Sequence, residues 1–310
     1  MRGRYEPIVL TAAITGGDVF RSQSPHIPCG AEAIVAEALR AAEAGAACIH
    51  VHAREELDGR PTGSPQLFSE IAEGVRAGSD AVISFTTGGS PGMSEPERLA
   101  SLAAGRPDIA TFNLGTMNYE GFPTPSRWPA VEHEWERTSL EQSGEVVFVN
   151  TLGQMRRLAA TCRELGITPE LEAYDMGHLS MARFLLDEGT LESPVRLQLV
   201  LGVLGGADNS LETMFAMREA AIRILGSDLE SLSVAATGYP MQFRHVAAAL
   251  GLGMNCRVGL EDSLRVRRDR KATSNAELVA VAVELAELLG RPLATPAELR
   301  AQLGPWAAAR

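Results

Sequence analysis

The chain of 310 residues is 45% hydrophobic and 22% charged, which suits a soluble globular enzyme with a large core. Its formal charge of -11 argues against nucleic acid as a partner; the only strong basic cluster is RVRRDRK from Arg265, read as a solvated surface loop. The opening MRGRYEPIVL lacks the apolar core and small-residue cleavage site of a signal peptide, and no run of about 18 apolar residues marks a membrane span, so a cytoplasmic protein with no membrane partner is expected. Cys29, Cys48, Cys162 and Cys256 form no CxxC pair, so they predict reduced core residues, without a disulfide framework or a thiolate zinc site.

Short apolar, β-rich runs alternate with Ala- and Leu-rich helical stretches, the pattern of βα units around a parallel sheet. Eight runs read as strands: IVLTAAI from Ile8, CIHVHA from Cys48, VISFTT from Val82, IATFNL from Ile109, PELEAY from Pro169, VRLQLVLG from Val195, LSVAAT from Leu232 and NCRVGLE from Asn255. Between the first two, AEAIVAEALRAAEAG from Ala31 has helical character and stops at Gly45, a common helix-ending residue. A ninth run, VVFVN from Val146, falls in the long stretch between the fourth and fifth strands and is taken as a decoration. After the last strand, SNAELVAVAVELAELLG and TPAELRAQLG are placed to close and cap the fold. Eight such units predict a single (β/α)8 TIM barrel over residues 1–310 with extra C-terminal helices. The runner-up, an open doubly wound sheet, calls for a GxGxxG or P-loop fingerprint after an early strand, and none is there.

In (β/α)8 enzymes the chemistry sits where strands end and βα loops begin. Polar residues gather there in this chain: Thr15 and Asp18, His50 and His52, Thr86 to Gly89, Thr111 and Asn113, Glu170, Glu172 and Asp175, and Arg257, Glu261 and Asp262. His50 and His52, at i and i+2, share one strand face, which lets two imidazoles share a metal ion; ordinary hydrogen-bond partners would explain the pair as well. A barrel closes its eighth strand onto its first, with the second one step further. Glu261 is therefore placed to complete a two-histidine, one-carboxylate set that leaves a coordination position open, as catalytic zinc sites do. It could equally neutralise Arg257.

PIVLTAAITG, AGAACIHVHARE, DGRPTG, SFTTGG, ATFNLGTMNY, PELEAYDMG, LQLVLGVLGG, RVGLED and SNAELV…LGRPLATPAELR occur in this order, and with them the chain resembles the β-keto acid cleavage enzyme family over nearly its whole length. That resemblance implies a zinc-dependent (β/α)8 enzyme, one ion per chain, which condenses a β-keto acid with acetyl-CoA to give acetoacetate and a new CoA thioester. It matches His50, His52 and Glu261 to the zinc ligands, Asp262 to the base and Arg257 to the residue that orients it. Glu172 matches a pocket glutamate counted among the catalytic groups, and Thr86, Gly89, Thr111 and Asn113 match positions that hold the substrate carboxylate and chain. Adjacent Glu261 and Asp262 can both face the pocket only if the chain turns at the strand end. The family further suggests a homotetramer. The glycine-rich GVLGG from Gly202 is read either as amides for a CoA phosphate or thioester, or as a plain βα turn.

The chain departs from the family in three places. Asp18 stands where the aminohexanoate-cleaving member has an acidic residue for the substrate's ammonium group, so a cationic substrate of different reach is expected. Asn255 replaces a histidine in a Gly-His-x-Arg pattern, and Tyr239 and Pro240 stand where a Gly-Arg step is common; both changes bear on the acyl-CoA contact. Two other readings stay open. An amidohydrolase-type hydrolase also uses HxH, though on the first strand and with later histidines, while His178 and His245 fall poorly at strand ends. A catalytically silent acyl-CoA or keto acid binder would not need Asp262 and Arg257 beside the metal set.

Overall fold

The computed structural model describes residues 6–88, 93–121, 124–128, 130–304 and 306. Eight parallel strands close into a ring: β1 (Leu10–Ala13), β2 (Cys48–Val51), β3 (Val82–Phe85), β4 (Ile109–Asn113), β5 (Thr168–Ala173), β6 (Val195–Leu201), β7 (Leu229–Ala236) and β8 (Asn255–Val258). They hydrogen-bond in the order β1-β8-β7-β6-β5-β4-β3-β2, with β1 pairing both β8 and β2. This is a TIM barrel, and each of the eight runs expected as strands supplies one of its strands.

Helices α1 (Ala31–Glu43), α2 (Pro65–Gly78) and α3 (Glu95–Gly105) follow the first three strands. The longer β4–β5 connection holds α4 (Glu134–Gln142) and α5 (Leu152–Leu165), and α6 (Met176–Asp187), α7 (Leu211–Leu225) and α8 (Met241–Leu252) follow the next three strands. Helices α9 (Asn275–Leu288) and α10 (Pro296–Arg300) are the extra C-terminal pair. Their starts are written in the sequence. Thr151 with Gln154 and Thr295 with Glu298 form capping boxes, and Ser64 caps α2 ahead of Pro65. The ninth run is a decoration: Val147–Phe148 pairs antiparallel with Met117–Asn118 beside the barrel mouth. The basic cluster expected as a loop is a two-stranded hairpin, Arg265–Arg267 against Arg270–Lys271, in which only Val266 is buried. Alternation explains the difference, since burying one side chain is enough to hold a short ribbon on the core.

Alternate side chains divide each strand between two environments. Ile49, Val51, Ile83, Phe85, Phe112, Leu171, Leu197 and Leu199, all fully buried, pack in the main apolar core. The other parity carries polar groups. Ser84, Asn113, Glu172, Gln198 and Arg257 are buried and occupy it toward the C-terminal end. At the opposite end the interior is apolar, where Val9, Cys48, Val82 and Ile109 meet Leu299 and Leu303 in a separate buried cluster. The chain's last described segment is tied there as well, because Thr168 Oγ1 donates to the Leu303 carbonyl and Arg300 Nη2 to the Ala81 carbonyl. No helix among the described residues is long and apolar enough to cross a membrane.

Candidate active site

His50 is the inward residue of β2, and His52 lies just past the strand's end. Thr15 fixes the second: its Oγ1 donates to the His52 carbonyl at 2.7 Å and accepts the His52 N–H at 2.8 Å. The first is fixed by Ser84, whose Oγ lies 3.1 Å from His50 Nδ1, leaving Nε2 toward the cavity. His50 Nε2 and His52 Nε2 lie 3.7 and 3.4 Å from the two carboxylate oxygens of Glu261. Potential ligand atoms on the three residues fall within 4.8 Å of one another. Glu261 Oε2 is buried with no hydrogen-bond partner among the described residues, an uncommon state for a carboxylate oxygen. Burial drives the His50 imidazole down to about 3, so it is neutral and able to ligate at ordinary pH. The neutral His50 imidazole, the neighbouring His52 imidazole and an under-satisfied carboxylate fit a divalent cation.

Strand β8 stops at Val258, and a turn over residues 259–262 presents Glu261 and Asp262 together, which resolves the conflict of parity. Gly259 permits it: a Cβ there would stand 1.9 Å from the Ala13 carbonyl oxygen. Arg257 is the hub. Its Nε and Nη2 donate to Asp262 at 2.9 and 2.8 Å, Nη2 also reaches Glu261 Oε1 at 2.6 Å, and Nη1 lies 3.7 Å from Glu172. Such a fork holds a carboxylate in one orientation, which a lysine cannot do. Burial raises the Glu261 carboxyl, but the Arg257 guanidinium opposes it and, as the largest lowering influence, helps hold the group well below the usual range. For Asp262, burial prevails over Arg257 and leaves a raised pKa, as a proton acceptor needs.

These groups open onto a cavity of about 520 Å3 at the C-terminal end of the barrel, whose walls include Thr86, Asn113, Tyr119, Glu172 and Tyr174. Glu172 is pushed up to about 7 by burial, against the pull of Arg257. Thr86 Oγ1 accepts the Gly88 N–H at 3.0 Å, which leaves its own proton for a ligand. Thr111 serves the loop: its Oγ1 accepts the Thr87 N–H, while Thr87 Oγ1 donates to the Thr111 carbonyl. Gly89 lies outside the described residues. Asp18 stands at the mouth and accepts a hydrogen bond from the Tyr119 hydroxyl. Burial lifts its carboxyl, an effect tempered because Asp18 remains exposed to the cavity.

A family model described as beta-keto acid cleavage enzyme matches residues 7–304. The chain belongs to the beta-keto acid cleavage enzyme family. Among its curated relatives is a 3,5-dioxohexanoate:acetyl-CoA acetone transferase of Paraburkholderia graminis, 37% identical over 96% of this chain and 95% of the relative. A 3-keto-5-aminohexanoate cleavage enzyme of Acetoanaerobium sticklandii is 34% identical over 96% and 98%. A 3-dehydrocarnitine:acetyl-CoA trimethylamine transferase of Rhizobium meliloti is 33% identical over 96% of each. In three dimensions, ObcA in complex with oxaloacetate superposes with a TM-score of 0.70 at 22% identity, covering 91% of this chain and 68% of that one, a likeness of fold.

Not every residue singled out in this beta-keto acid cleavage enzyme lies at the cavity. Glu170 pairs with Arg196 at 3.8 Å within the barrel, and Asp175 caps α6. Asn255 is buried at the start of β8, accepting the Val9 N–H and donating to Ser231, so the departure at that position is met by interior hydrogen bonds. Tyr239 is 36% exposed. His178 Nδ1 accepts the Tyr174 N–H and His245 Nδ1 contacts the Met241 carbonyl, so neither joins the metal set. In GVLGG, Gly202 and Gly206 spend their N–H groups on the turn, and a Cβ on Gly205 would meet the Asn118 carbonyl oxygen.

Sequence reasoning missed Ser84, Tyr119, Tyr174 and Arg54. Ser84 sits beside His50 in the register of β2 and β3, which parity could have exposed. Arg54, fully buried, is the next same-face residue after His50 and His52. It holds the loop bearing Asp18 by donating to the carbonyls of Gly16, Val19 and Gly59.

Proposed function

We propose that this chain is a zinc-dependent enzyme that condenses a β-keto acid with acetyl-CoA, giving acetoacetate and a new acyl-CoA. The observation that carries this reading is the His50, His52 and Glu261 donor set joined through Arg257 to Asp262 at one cavity wall. A zinc ion on those ligands would supply Lewis-acid polarisation of the substrate's keto group, acidifying the adjacent C–H bond. Asp262 takes the α-proton onto a carboxylate that Arg257 holds in place. The α-carbon forms a bond to the acetyl carbonyl and expels CoA thiolate. CoA then adds to the substrate's original keto carbon, whose bond to the α-carbon breaks, and Asp262 returns its proton to that α-carbon, releasing acyl-CoA and acetoacetate. No enzyme nucleophile takes part.

Thr86 and Asn113 offer uncharged donors to the substrate carboxylate, so they bind an anion without adding charge beside the ligands. Glu172 is read as a further catalytic group, and residues 1–310 as one catalytic unit. The family likeness suggests a homotetramer, tested by light scattering, and the absence of a signal-peptide pattern suggests the cytoplasm, tested by fractionation. The hydrolase and silent-binder readings are not favoured, since His178 and His245 lie outside the donor set while Arg257 and Asp262 are joined to it.

Asp18 sets the distal end of the substrate. The relatives' names span a dioxo acid, an amino keto acid and dehydrocarnitine, so the class must be found by assay. With zinc-loaded protein, acetyl-CoA and a panel of neutral, anionic and cationic β-keto acids, we expect acetoacetate from a cationic member. Asp18→Ala should cost that member about tenfold to a hundredfold in kcat/KM, the loss of a charged hydrogen bond. Absence of acetoacetate from every member, at one zinc per chain, would overturn the reaction; preference for a neutral member unaffected by Asp18→Ala would overturn the role of Asp18 alone.

A further inference from the structure

The hydroxyl of Tyr174 lies 3.1 Å from Asn113 Oδ1 and 3.1 Å from Glu172 Oε2. A phenol has a single proton, so it donates to one of these oxygens and not to both. Nearby groups constrain the choice. Glu172 Oε1 accepts from Gln198 Nε2 at 3.1 Å, and Gln198 Oε1 accepts from Ser233 Oγ at 3.0 Å. On the far side of the phenol, Asn113 is 2% exposed, lines the cavity, and has an Nδ2 without a hydrogen-bond partner among the described residues.

Two arrangements satisfy the phenol. When Glu172 is ionised, its charge claims the Tyr174 proton. The phenol oxygen then accepts from the carboxamide N–H2, and the carboxamide oxygen faces the cavity. When Glu172 carries a proton, it donates to the phenol oxygen, Tyr174 donates to Asn113 Oδ1, and the N–H2 faces the cavity. Which end of an Asn points where is decided by such networks. The first arrangement shows a ligand an acceptor and the second shows it a donor. A carboxylate has only acceptors to offer.

We propose that Tyr174 is a positioning residue that decides which end of the Asn113 carboxamide meets the substrate, and that it thereby couples binding of a substrate carboxylate to uptake of one proton by Glu172. The proposal rests on the β-keto acid reading above. The proton comes from solvent and no covalent bond changes. The backbone of Tyr174 is held on both sides, since its N–H donates to His178 Nδ1 of α6 and its carbonyl accepts the Ala207 N–H at 2.6 Å. The charges facing Glu172 are Arg257 of β8, which opposes protonation, Glu261 past β8 and Glu170 of β5, which favour it, and Arg196 of β6, which is paired with Glu170. Burial with these neighbours leaves the Glu172 carboxyl near 7, where both arrangements are accessible.

The test is calorimetric titration of acetoacetate, itself a β-keto acid, into zinc-loaded protein at pH 7 without acetyl-CoA, in two buffers of different ionisation enthalpy. Wild type should take up a measurable fraction of a proton per site, because Asn113 is presented as a donor only when Glu172 is protonated. Tyr174→Phe should bind about tenfold more weakly, with the uptake gone. Glu172→Gln should still bind acetoacetate but without proton uptake, because its amide always donates to the phenol. Binding without uptake in wild type, uptake unchanged in Tyr174→Phe, or no binding by wild type would each overturn the proposal. Failure of the function reading looks different: acetoacetate binds with proton uptake, yet no keto acid in the turnover panel is cleaved.

Discussion

At the floor of the barrel, Cys48 of β2, Val82 of β3 and Ile109 of β4 close against Leu299 and Leu303. Two to four residues further along the same strands stand His50, Ser84 and Asn113, all lining or bracing a cavity of ionisable groups. The floor gains from burial and demands nothing beyond fit, whereas each charge at the other end is tolerable only while its partners are present. Arg257 contacts Asp262, Glu261 and Glu172 at once. In a TIM barrel this asymmetry separates what holds the fold from what performs the chemistry.

The sharpest way to break the comparison is a substitution at each end. His50→Ala should lower bound zinc from about one per chain to near zero by atomic absorption and cut turnover about a thousandfold, the scale of a lost Lewis acid. Thermal stability of its metal-free form should remain close to that of metal-free wild type. Leu299→Ala should do the reverse, costing about 2–5 kcal/mol in denaturant unfolding while kcat stays at the wild-type value. A Leu299→Ala protein with wild-type stability but impaired turnover would erase the division.

A smaller effect comes from acid. Burial holds the folded His50 down to about 3, with His178 and His245 also lowered by burial, while an unfolded histidine titrates near 6.5. Between these values the unfolded chain binds protons that the native state refuses. The stabilisation is complete above about pH 6.5 and is lost as the pH falls toward the folded pKa. Metal-free protein should lose about 2 kcal/mol to His50 alone between pH 7 and 5, and His50→Ala should flatten that slope.

Periodicity carried the barrel. Strands buried on both faces and helices with marked caps are short-range patterns, and they were legible. The pair His50 and His52 was legible by parity, and Glu261 by the closure of β8 onto β1. The turn that delivers Asp262 beside Glu261 was not, because it depends on how closely Gly259 passes the Ala13 carbonyl. Thr111 illustrates the opposite limit: a hydroxyl on the polar parity of β4 is committed to the Thr87 backbone, a contact no strand pattern encodes. Tyr119 reaches Asp18 across a hundred residues of chain, from a decoration whose position only the folded molecule defines.

Asn113, Glu172, Gln198 and Ser233 stand side by side on four adjacent strands, register partner to register partner. A change in any of them is felt around the circumference of the barrel before it is felt along the chain. Descendants that drift to a new keto acid are therefore expected to change this belt as a group, while His50, His52, Glu261 and the floor stay constant. The positions recording that drift are far apart in the gene and adjacent in the protein, so a library that varies all four at once samples new specificities more efficiently than one that scans consecutive residues.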